Sequence, residues 1–286
     1  MVGIYIMKNN IVTRIAPLLA GFALMFFSQH SFAVSTWIFG DNSPLSECTA
    51  SEVTAGSCAA TTADVGAPNV KGFAVSSTGN SGTKFAGANL QSYGGGLGVE
   101  ANASDTGSPQ HSTDNSGYTD AIVLNFGSMN FDLDKVTIGW KGSAVGDTPD
   151  ADISIFRYTG SSSTPTPVGS LATGAGLLAN GWALVGNYAD FATGTAKNVN
   201  TTNQTSSWWM ISAYNASYGA ASGADQGAAD SGGTTGLQGA NDYFKVLSIA
   251  GTATKRTDVP EPASIALLGL GLVGMVAARR RKQAAM

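Results

Sequence analysis

Short hydrophobic and polar runs alternate along the middle of the chain. Seven runs show this pattern or are rich in β-branched and aromatic residues, and they lie at 35–41, 120–127, 135–142, 152–160, 182–191, 207–215 and 242–253. A period of two in short runs bounded by Gly, Asn, Asp and Ser is typical of β-strands. The pattern therefore predicts an all-β fold, an antiparallel β-sandwich or jelly roll.

The alternation also predicts which side chains face the core. Two trios are expected to do so, Ile122, Leu124 and Phe126 in one run and Val136, Ile138 and Trp140 in another. The adjacent Trp208 and Trp209 must point to opposite faces of their strand, so we expect one in the core and the other partly exposed. Residues 169–180 can hold a short helix, and residues 218–240, poor in bulky apolar residues, predict a long surface loop.

The number and distribution of charged residues limit the classes of function that fit this chain. Charged residues make up only 12% of the 286 residues, and the 37 glycines suit a turn-rich β protein. Residues 34–258 hold 18 of the 19 acidic residues but only 9 of the 15 basic ones. An acidic body disfavours nucleic acid as a partner, because phosphate needs Lys and Arg. It is compatible with bound divalent cations.

The beginning of the chain has the pattern of a secretory signal peptide. Lys8 and Arg14 precede the apolar stretch 15–27, and Ser31-Phe32-Ala33 is a small-x-small cleavage pattern. We expect cleavage before Val34, with an uncleaved membrane anchor as the alternative. The first six residues lower the density of positive charge at the start, which favours Met7 over Met1 as the initiator.

The other end predicts a single transmembrane helix. Residues 263–278 are sixteen uncharged residues, about 24 Å as a helix, and polar flanks can extend them toward the ~30 Å hydrocarbon core. A stop-transfer cluster follows at Arg279, Arg280, Arg281 and Lys282. Pro260 and Pro262 prevent a regular helix in the segment that precedes the predicted transmembrane helix. The extended backbone that results is what a membrane protease needs.

Val259-Pro260-Glu261-Pro262, the glycine-bearing span and the arginine cluster together resemble the PEP-CTERM sorting signal. The same region is also described as the ice-binding protein C-terminal domain, a name that does not establish ice binding. The resemblance implies recognition by exosortase, a membrane transpeptidase, and removal of the tail. It also implies delivery to the surface or extracellular matrix of a Gram-negative bacterium. An ordinary tail anchor with a fortuitous Pro-Glu-Pro is the alternative.

Three domains are expected on this basis: a signal peptide at 1–33, a surface domain at 34–255 and the sorting signal at 256–286. Within the body, the segments STDNSGYTDAIVLNFG, LDKVTIGWKG and DADISIFRYTG are similar to the core of exosortase-dependent surface proteins. That second resemblance covers about residues 35–255. It implies a β-sandwich surface domain with no assigned catalysis.

The two cysteines, Cys48 and Cys58, lie in the exported part with nine residues between them. An oxidising compartment favours a disulfide, which on the chain-entropy model stabilises by about 2–3 kcal/mol. A reactive thiol is the alternative, but no histidine adjoins either cysteine.

Carboxylates are the candidate metal ligands. Asp147, Asp150 and Asp152 lie in GDTPDADIS at the entry to a predicted strand, and Asp114 and Asp120 bracket a second polar stretch. Ca²⁺ binds carboxylate, amide and backbone oxygens in turns. The alternative is that these side chains form Asx turns at strand starts. No cofactor follows firmly from the sequence, and Ca²⁺ is the one left open.

Catalysis is not indicated. His111 is the only histidine after the predicted signal peptide, it lies in a polar loop that predicts exposure, and no nucleophile elbow accompanies it. We therefore expect a non-enzymatic surface or matrix protein associated with exopolysaccharide or biofilm. The alternative is a carbohydrate- or Ca²⁺-binding lectin-like module, and a secreted hydrolase is less favoured. A sugar-stacking platform can be formed by Trp140, Trp182, Tyr158, Tyr188 and Tyr214, although core packing is the commoner role of such residues.

Overall fold

The computed structural model describes residues 34–39, 61–62, 71–77, 84–101, 107–109, 111–143, 148–162, 165–166, 168, 171, 174–229, 236–237, 242–255 and 269. All of these residues belong to one of the two units of the chain, residues 34–286.

Strands dominate the described residues. They are β1 (Val34–Ile38), β2 (Thr61–Thr62), β3 (Lys71–Ser77), β4 (Phe85–Tyr93), β5 (Gly96–Glu100), β6 (Thr113–Asp114), β7 (Asp120–Asn125), β8 (Met129–Lys141), β9 (Ile153–Tyr158), β10 (Trp182–Tyr188), β11 (Lys197–Asn198), β12 (Thr205–Ser206), β13 (Trp208–Ala213) and β14 (Tyr243–Lys255). The helical elements with described bounds are one α-helical turn, Ala175–Ala179, and two 3₁₀ turns, Ala216–Tyr218 and Gly223–Asp225. Val168 and Gly269 are two further described residues in helical conformation. The all-β prediction and the short helix within 169–180 are confirmed.

The strands form one curled sheet in the order β10-β9-β13-β7-β3-β4-β5-β14-β1-β2. Strand β8 also pairs with β14, while β11 and β12 pair with β8, and β6 pairs with β14. Every pairing between these named strands is antiparallel. Strand β14 is thus the strand with most partners.

The main core lies inside the curl. Inward side chains of β7, β9 and β13 join those of β8 and β14 in one buried cluster, which includes Ile122, Leu124, Phe126, Val136, Ile138, Ile153, Ile155, Trp209, Val246 and Ile249. At one place three rings meet, with the Trp37 ring centroid 5.5 Å from Phe126 and 4.9 Å from Phe131. The predicted trio of β7 is therefore confirmed as a core face.

A second buried cluster lies on the opposite face of β7, β9 and β13. It contains Val123, Phe156, Trp208 and Met210, which pack with Leu177 and Trp182, among others. The tryptophan pair of β13 does point to opposite faces, but the prediction that one ring stays partly exposed is wrong. Trp209 is fully buried and Trp208 is 9% exposed, because the segment between β9 and β10 contributes apolar side chains that cover the second face.

Register shifts in the longest strand pair alter the predicted alternation. In β8 the buried residues are Phe131, Leu133, Val136 and Ile138. The three-residue step between Leu133 and Val136 falls where the register with β14 shifts. A second shift lies between the pairs Val246–Ile138 and Lys245–Trp140. Trp140 consequently leaves the main core, which corrects the prediction that it packs beside Val136 and Ile138.

Candidate metal centre

Three carboxylates converge where β9 and β14 begin. Asp150 and Asp152 lead into β9, and Asp242 directly precedes β14. Asp150 and Asp242 form an isolated parallel bridge, so two segments about ninety residues apart in sequence meet here. One carboxylate oxygen from each of the three residues lies within 4.8 Å of the other two. We call Asp150, Asp152 and Asp242 the acidic cluster.

Hydrogen bonds fix the orientation of these side chains. The backbone N–H of Asp152 donates to Oδ1 of Asp242 over 2.7 Å. Asn115 forms a reciprocal pair with Asp242, because its Nδ2 donates to Oδ2 over 2.7 Å and its Oδ1 accepts from the Asp242 backbone N–H over 2.8 Å. The Asp190 N–H donates to Oδ1 of Asp152 over 2.9 Å. The cluster and its polar partners thus come from four separate segments of the chain.

Burial and repulsion disfavour three negative charges in this place. Asp152 and Asp242 are fully buried, and Asp150 is 6% exposed. Burial raises the pKa of Asp242 well above its ordinary value, and the carboxylates of Asp152 and Asp150 raise it further. The hydrogen bonds from the Asp152 N–H and Asn115 lower it only in part. A proton or a bound cation that offsets part of this charge would therefore stabilise the cluster.

Lys197 is a nearby protein cation. Its Nζ donates to the backbone carbonyl of Ala189. Burial lowers the pKa of Lys197, while the negative charges of Asp190 and Asp152 oppose that change. The lysine thus contributes positive charge on the Asp152 side of the cluster.

The geometry suits a hard cation. Ca²⁺ binds oxygen at 2.3–2.6 Å, so two of its ligands lie at most about 5 Å apart. The oxygens of the acidic cluster satisfy this limit. Carboxylate oxygens are also the ligands that Ca²⁺ prefers.

Of the predicted metal ligands, Asp150 and Asp152 come together and Asp147 lies outside the described residues. Asp242 and its partner Asn115 were not predicted as site residues. Both sit in runs that the sequence does mark, Asn115 between Asp114 and Asp120 and Asp242 at the start of the last strand. Only the pairing of the strands reveals that these runs are neighbours. Asp114 and Asp120 lie beside each other, with the Asp114 N–H donating to Oδ2 of Asp120 over 3.3 Å.

The aromatic residues of the predicted sugar-stacking platform are buried or half-buried. Trp182 and Tyr188 are buried, whereas Trp140, Tyr158 and Tyr214 are half-buried. These five residues do not form one continuous stacking surface, since Trp182 and Tyr188 belong to different core clusters.

Trp140 instead belongs to a cage around Lys245. The Nζ of Lys245 lies 4.3 Å from the ring centroid of Tyr93 and 4.4 Å from that of Trp140. His111 completes the group, with its ring 4.6 Å from Tyr93 and 6.4 Å from Trp140. The prediction that His111 is solvent-exposed is therefore wrong, because aromatic neighbours half-bury it.

The remaining predicted sites fall outside the described residues. These are the disulfide pair Cys48 and Cys58, the motif residues Val259, Pro260, Glu261 and Pro262, and the basic cluster Arg279, Arg280, Arg281 and Lys282. Among the described residues no helix has both the length and the hydrophobicity needed to cross a membrane. The segment 263–278 lies outside the described residues, apart from Gly269.

Comparison with known proteins identifies the tail. No curated protein and no solved structure matches the chain. A family model does match residues 258–282, and its description is PEP-CTERM protein-sorting motif. The match contains the Val259-Pro260-Glu261-Pro262 segment, the uncharged stretch and the basic cluster that carry the resemblance in the sequence. The chain is therefore a protein with a PEP-CTERM sorting signal.

Proposed function

We propose that this chain is an exported, non-enzymatic protein that exosortase sorts to the cell surface. The observation that carries the proposal is the PEP-CTERM motif at residues 258–282. Such signals are read by exosortase from a membrane-anchored precursor. A single apolar stretch with arginines on its inner side is a physical means of holding the exported body at the membrane until the tail is processed.

The finer features of the proposal come from the sequence. Residues 1–33 act as the signal peptide and residues 263–278 as the membrane span, with the basic cluster retained in the cytoplasm. The body, residues 34–255, is of the β-sandwich class. It serves at the surface or in the extracellular matrix of a Gram-negative bacterium, in association with exopolysaccharide.

Mass spectrometry of the C-terminus tests the sorting proposal. The full chain is expressed in its host with exosortase present or deleted. With the enzyme present, we expect a product that has lost the residues after the motif. The Glu261→Gln variant should retain its tail in the membrane fraction, whereas Glu100→Gln, which removes a carboxylate from the body, should be processed normally. An intact tail in both host strains would contradict the proposal.

A second candidate function is Ca²⁺ binding at the acidic cluster. It is favoured by three buried carboxylates whose oxygens lie within 4.8 Å of one another. A divalent cation would offset their mutual repulsion. In that role Asp150, Asp152 and Asp242 would be ligands, and Asn115 would orient Asp242.

Calorimetric titration of the folded body with CaCl₂ tests this second candidate. We expect one binding event, which Asp242→Asn abolishes. The control Asp134→Asn removes a carboxylate from β8 and should leave binding unchanged. At a Ca²⁺ concentration a hundred times Kd, the free energy of unfolding should rise by about 2.7 kcal/mol. No heat of binding, together with a melting temperature unaffected by EDTA, would exclude the metal.

A further inference from the structure

A polar pocket opens at the end of β9 opposite to the acidic cluster. Strand β9 ends there beside β12 and the start of β8, and the cavity measures about 230 Å³. Its lining includes Asn130, Arg157, Tyr158, Thr159, Thr205 and Ser207, which we call the Arg157 pocket. No aspartate or glutamate is among the described lining residues, although the body is acidic.

The guanidinium of Arg157 is only partly engaged by the protein. Arg157 follows Ile153 and Ile155 on the core-facing side of β9, at the position where that face reaches solvent. Its Nε donates to Oε1 of Gln204, and Nη1 donates weakly to the backbone carbonyl of Thr205 over 3.4 Å. A guanidinium carries five N–H donors. Three of them therefore have no acceptor among the described residues.

Arg157 is partly desolvated. Its side chain is half-buried, and burial lowers its pKa. No carboxylate is among the described residues that line the pocket beside it. A partly desolvated guanidinium binds a carboxylate better than a fully hydrated one does, and its planar fork matches both carboxylate oxygens.

The walls of the pocket are pre-organised and hydroxylated. Ser206 Oγ donates to the Tyr158 carbonyl over 2.7 Å and accepts from the Trp208 N–H over 3.0 Å, which locks the end of β9 to the start of β13. The Thr159 hydroxyl donates to the Gly181 carbonyl over 3.0 Å. Asn130, Thr205 and Ser207 are also among the lining residues, and they carry further hydroxyl and amide groups. The wall offers hydrogen-bonding groups for a ligand rich in hydroxyls.

Size and chemistry together define the ligand class. The cavity is smaller than the ~300–1,000 Å³ of pockets for drug-sized molecules, so it suits a single sugar-sized unit. We infer that the Arg157 pocket binds a small polyhydroxylated carboxylate, such as one hexuronic acid unit. The carboxylate pairs with Arg157, and the ligand hydroxyls bond to the Asn130, Thr205 and Ser207 side of the pocket.

This inference deepens the proposed surface role, since it names a ligand class for the body. It rests on that role only for the source of the ligand, an acidic saccharide outside the cell. The purified full-length chain can be tested without exosortase. Failure of binding would therefore leave the sorting proposal intact, and failure of sorting would leave the pocket intact.

NMR titration of the ¹⁵N-labelled full-length chain in detergent micelles with three probes tests the inference. Sodium glucuronate carries both features of the ligand, glucose carries only the hydroxyls, and acetate carries only the carboxylate. We expect glucuronate to shift the Arg157 Nε signal and the amides of Thr205 to Ser207. Glucose and acetate should bind at least about tenfold more weakly.

Substitutions test whether glucuronate binds at the Arg157 pocket. Arg157→Gln should weaken glucuronate binding about tenfold or more, and Arg157→Lys should give an intermediate loss because it keeps charge without the fork. Lys135→Gln, an exposed site on β8, should have no effect. Should Arg157→Gln not fold, Thr205→Val is the substitute, with a several-fold loss expected.

Two results would overturn the inference. One is acetate binding as tightly as glucuronate, which would reduce the pocket to a simple anion site. The other is glucuronate binding that is absent, or that is unchanged in the folded variants.

Discussion

Asp132 is the residue whose environment gives the clearest pH dependence outside the acidic cluster. It lies on β8, half-buried, and its Oδ1 accepts a hydrogen bond from Asn200 Nδ2 over 2.6 Å. Burial, followed by repulsion from Asp134, raises the pKa of Asp132 to about 6, while the Asn200 bond lowers it. In the unfolded chain the same group titrates near 3.8. The folded protein therefore keeps this proton at pH values where the unfolded chain has lost it.

The free energy of unfolding should therefore depend on pH through the ionisation of Asp132. The contribution of Asp132 is fully present below about pH 4 and is lost as the pH rises to about 6. Asp132→Asn retains an acceptor for Asn200 and cannot ionise, so its stability relative to wild type should increase across this window. Urea unfolding at pH 4, 5, 6 and 7 measures the difference. A carboxyl ¹³C signal of Asp132 that titrates near pH 4 would contradict the explanation.

At the scale of elements, the hairpin between β4 and β5 is fixed by a glycine. Gly96 has a φ of +116°, and an added Cβ would lie 2.3 Å from the Val246 carbonyl oxygen on β14. Gly127 also has positive φ, +63°, but an added Cβ there meets nothing within 4 Å. A substitution at Gly127 therefore tests backbone strain alone, whereas one at Gly96 tests backbone strain together with steric overlap with β14.

Alanine substitutions at Gly96 and Gly127 should lower the free energy of unfolding by different amounts. Gly127→Ala should lose about 1–2 kcal/mol from the left-handed backbone alone. Gly96→Ala should lose clearly more, because β5 must move away from β14. Urea denaturation measures both, and amide exchange should show weaker protection in β5 only for Gly96→Ala. Equal costs for the two variants would refute the role of the β5–β14 contact.

The sequence predicts strands well where alternation is strong and poorly where small residues interrupt it. All seven predicted runs overlap a strand. The alternation does not predict β3, β4 and β5, nor the two-residue strands β2, β6, β11 and β12. Strand β5 contains Gly96 and Gly98 among its five residues, and in β4 only Phe85, Ala88 and Leu90 are buried. Bulges are the second limit, since the shift near Trp140 depends on pairing with β14 and not on a local signal.

At the scale of the whole molecule, the candidate sites depend on topology. Asp150 and Asp152 could be named from their spacing and position before a strand. Asp242 could not, because its role follows from the meeting of β9 and β14. The tail is different, because its three parts are contiguous and their order alone identifies the motif at residues 258–282.

Strand β14 holds the body together, and this leads to a prediction about truncation. It pairs with β1, β5, β6 and β8 and supplies Phe244, Val246 and Ile249 to the main core. It is also the last described strand before the sorting signal.

A fragment of residues 34–255 should therefore fold with one cooperative thermal transition. A fragment of residues 34–241 should not, because it leaves β1 and β8 without their shared partner and opens the core. Circular dichroism and the dispersion of amide proton signals distinguish the two states. A well-dispersed spectrum from residues 34–241 would show that the sheet closes without β14. A collapsed spectrum from residues 34–255 would show that the fold needs segments beyond the surface domain.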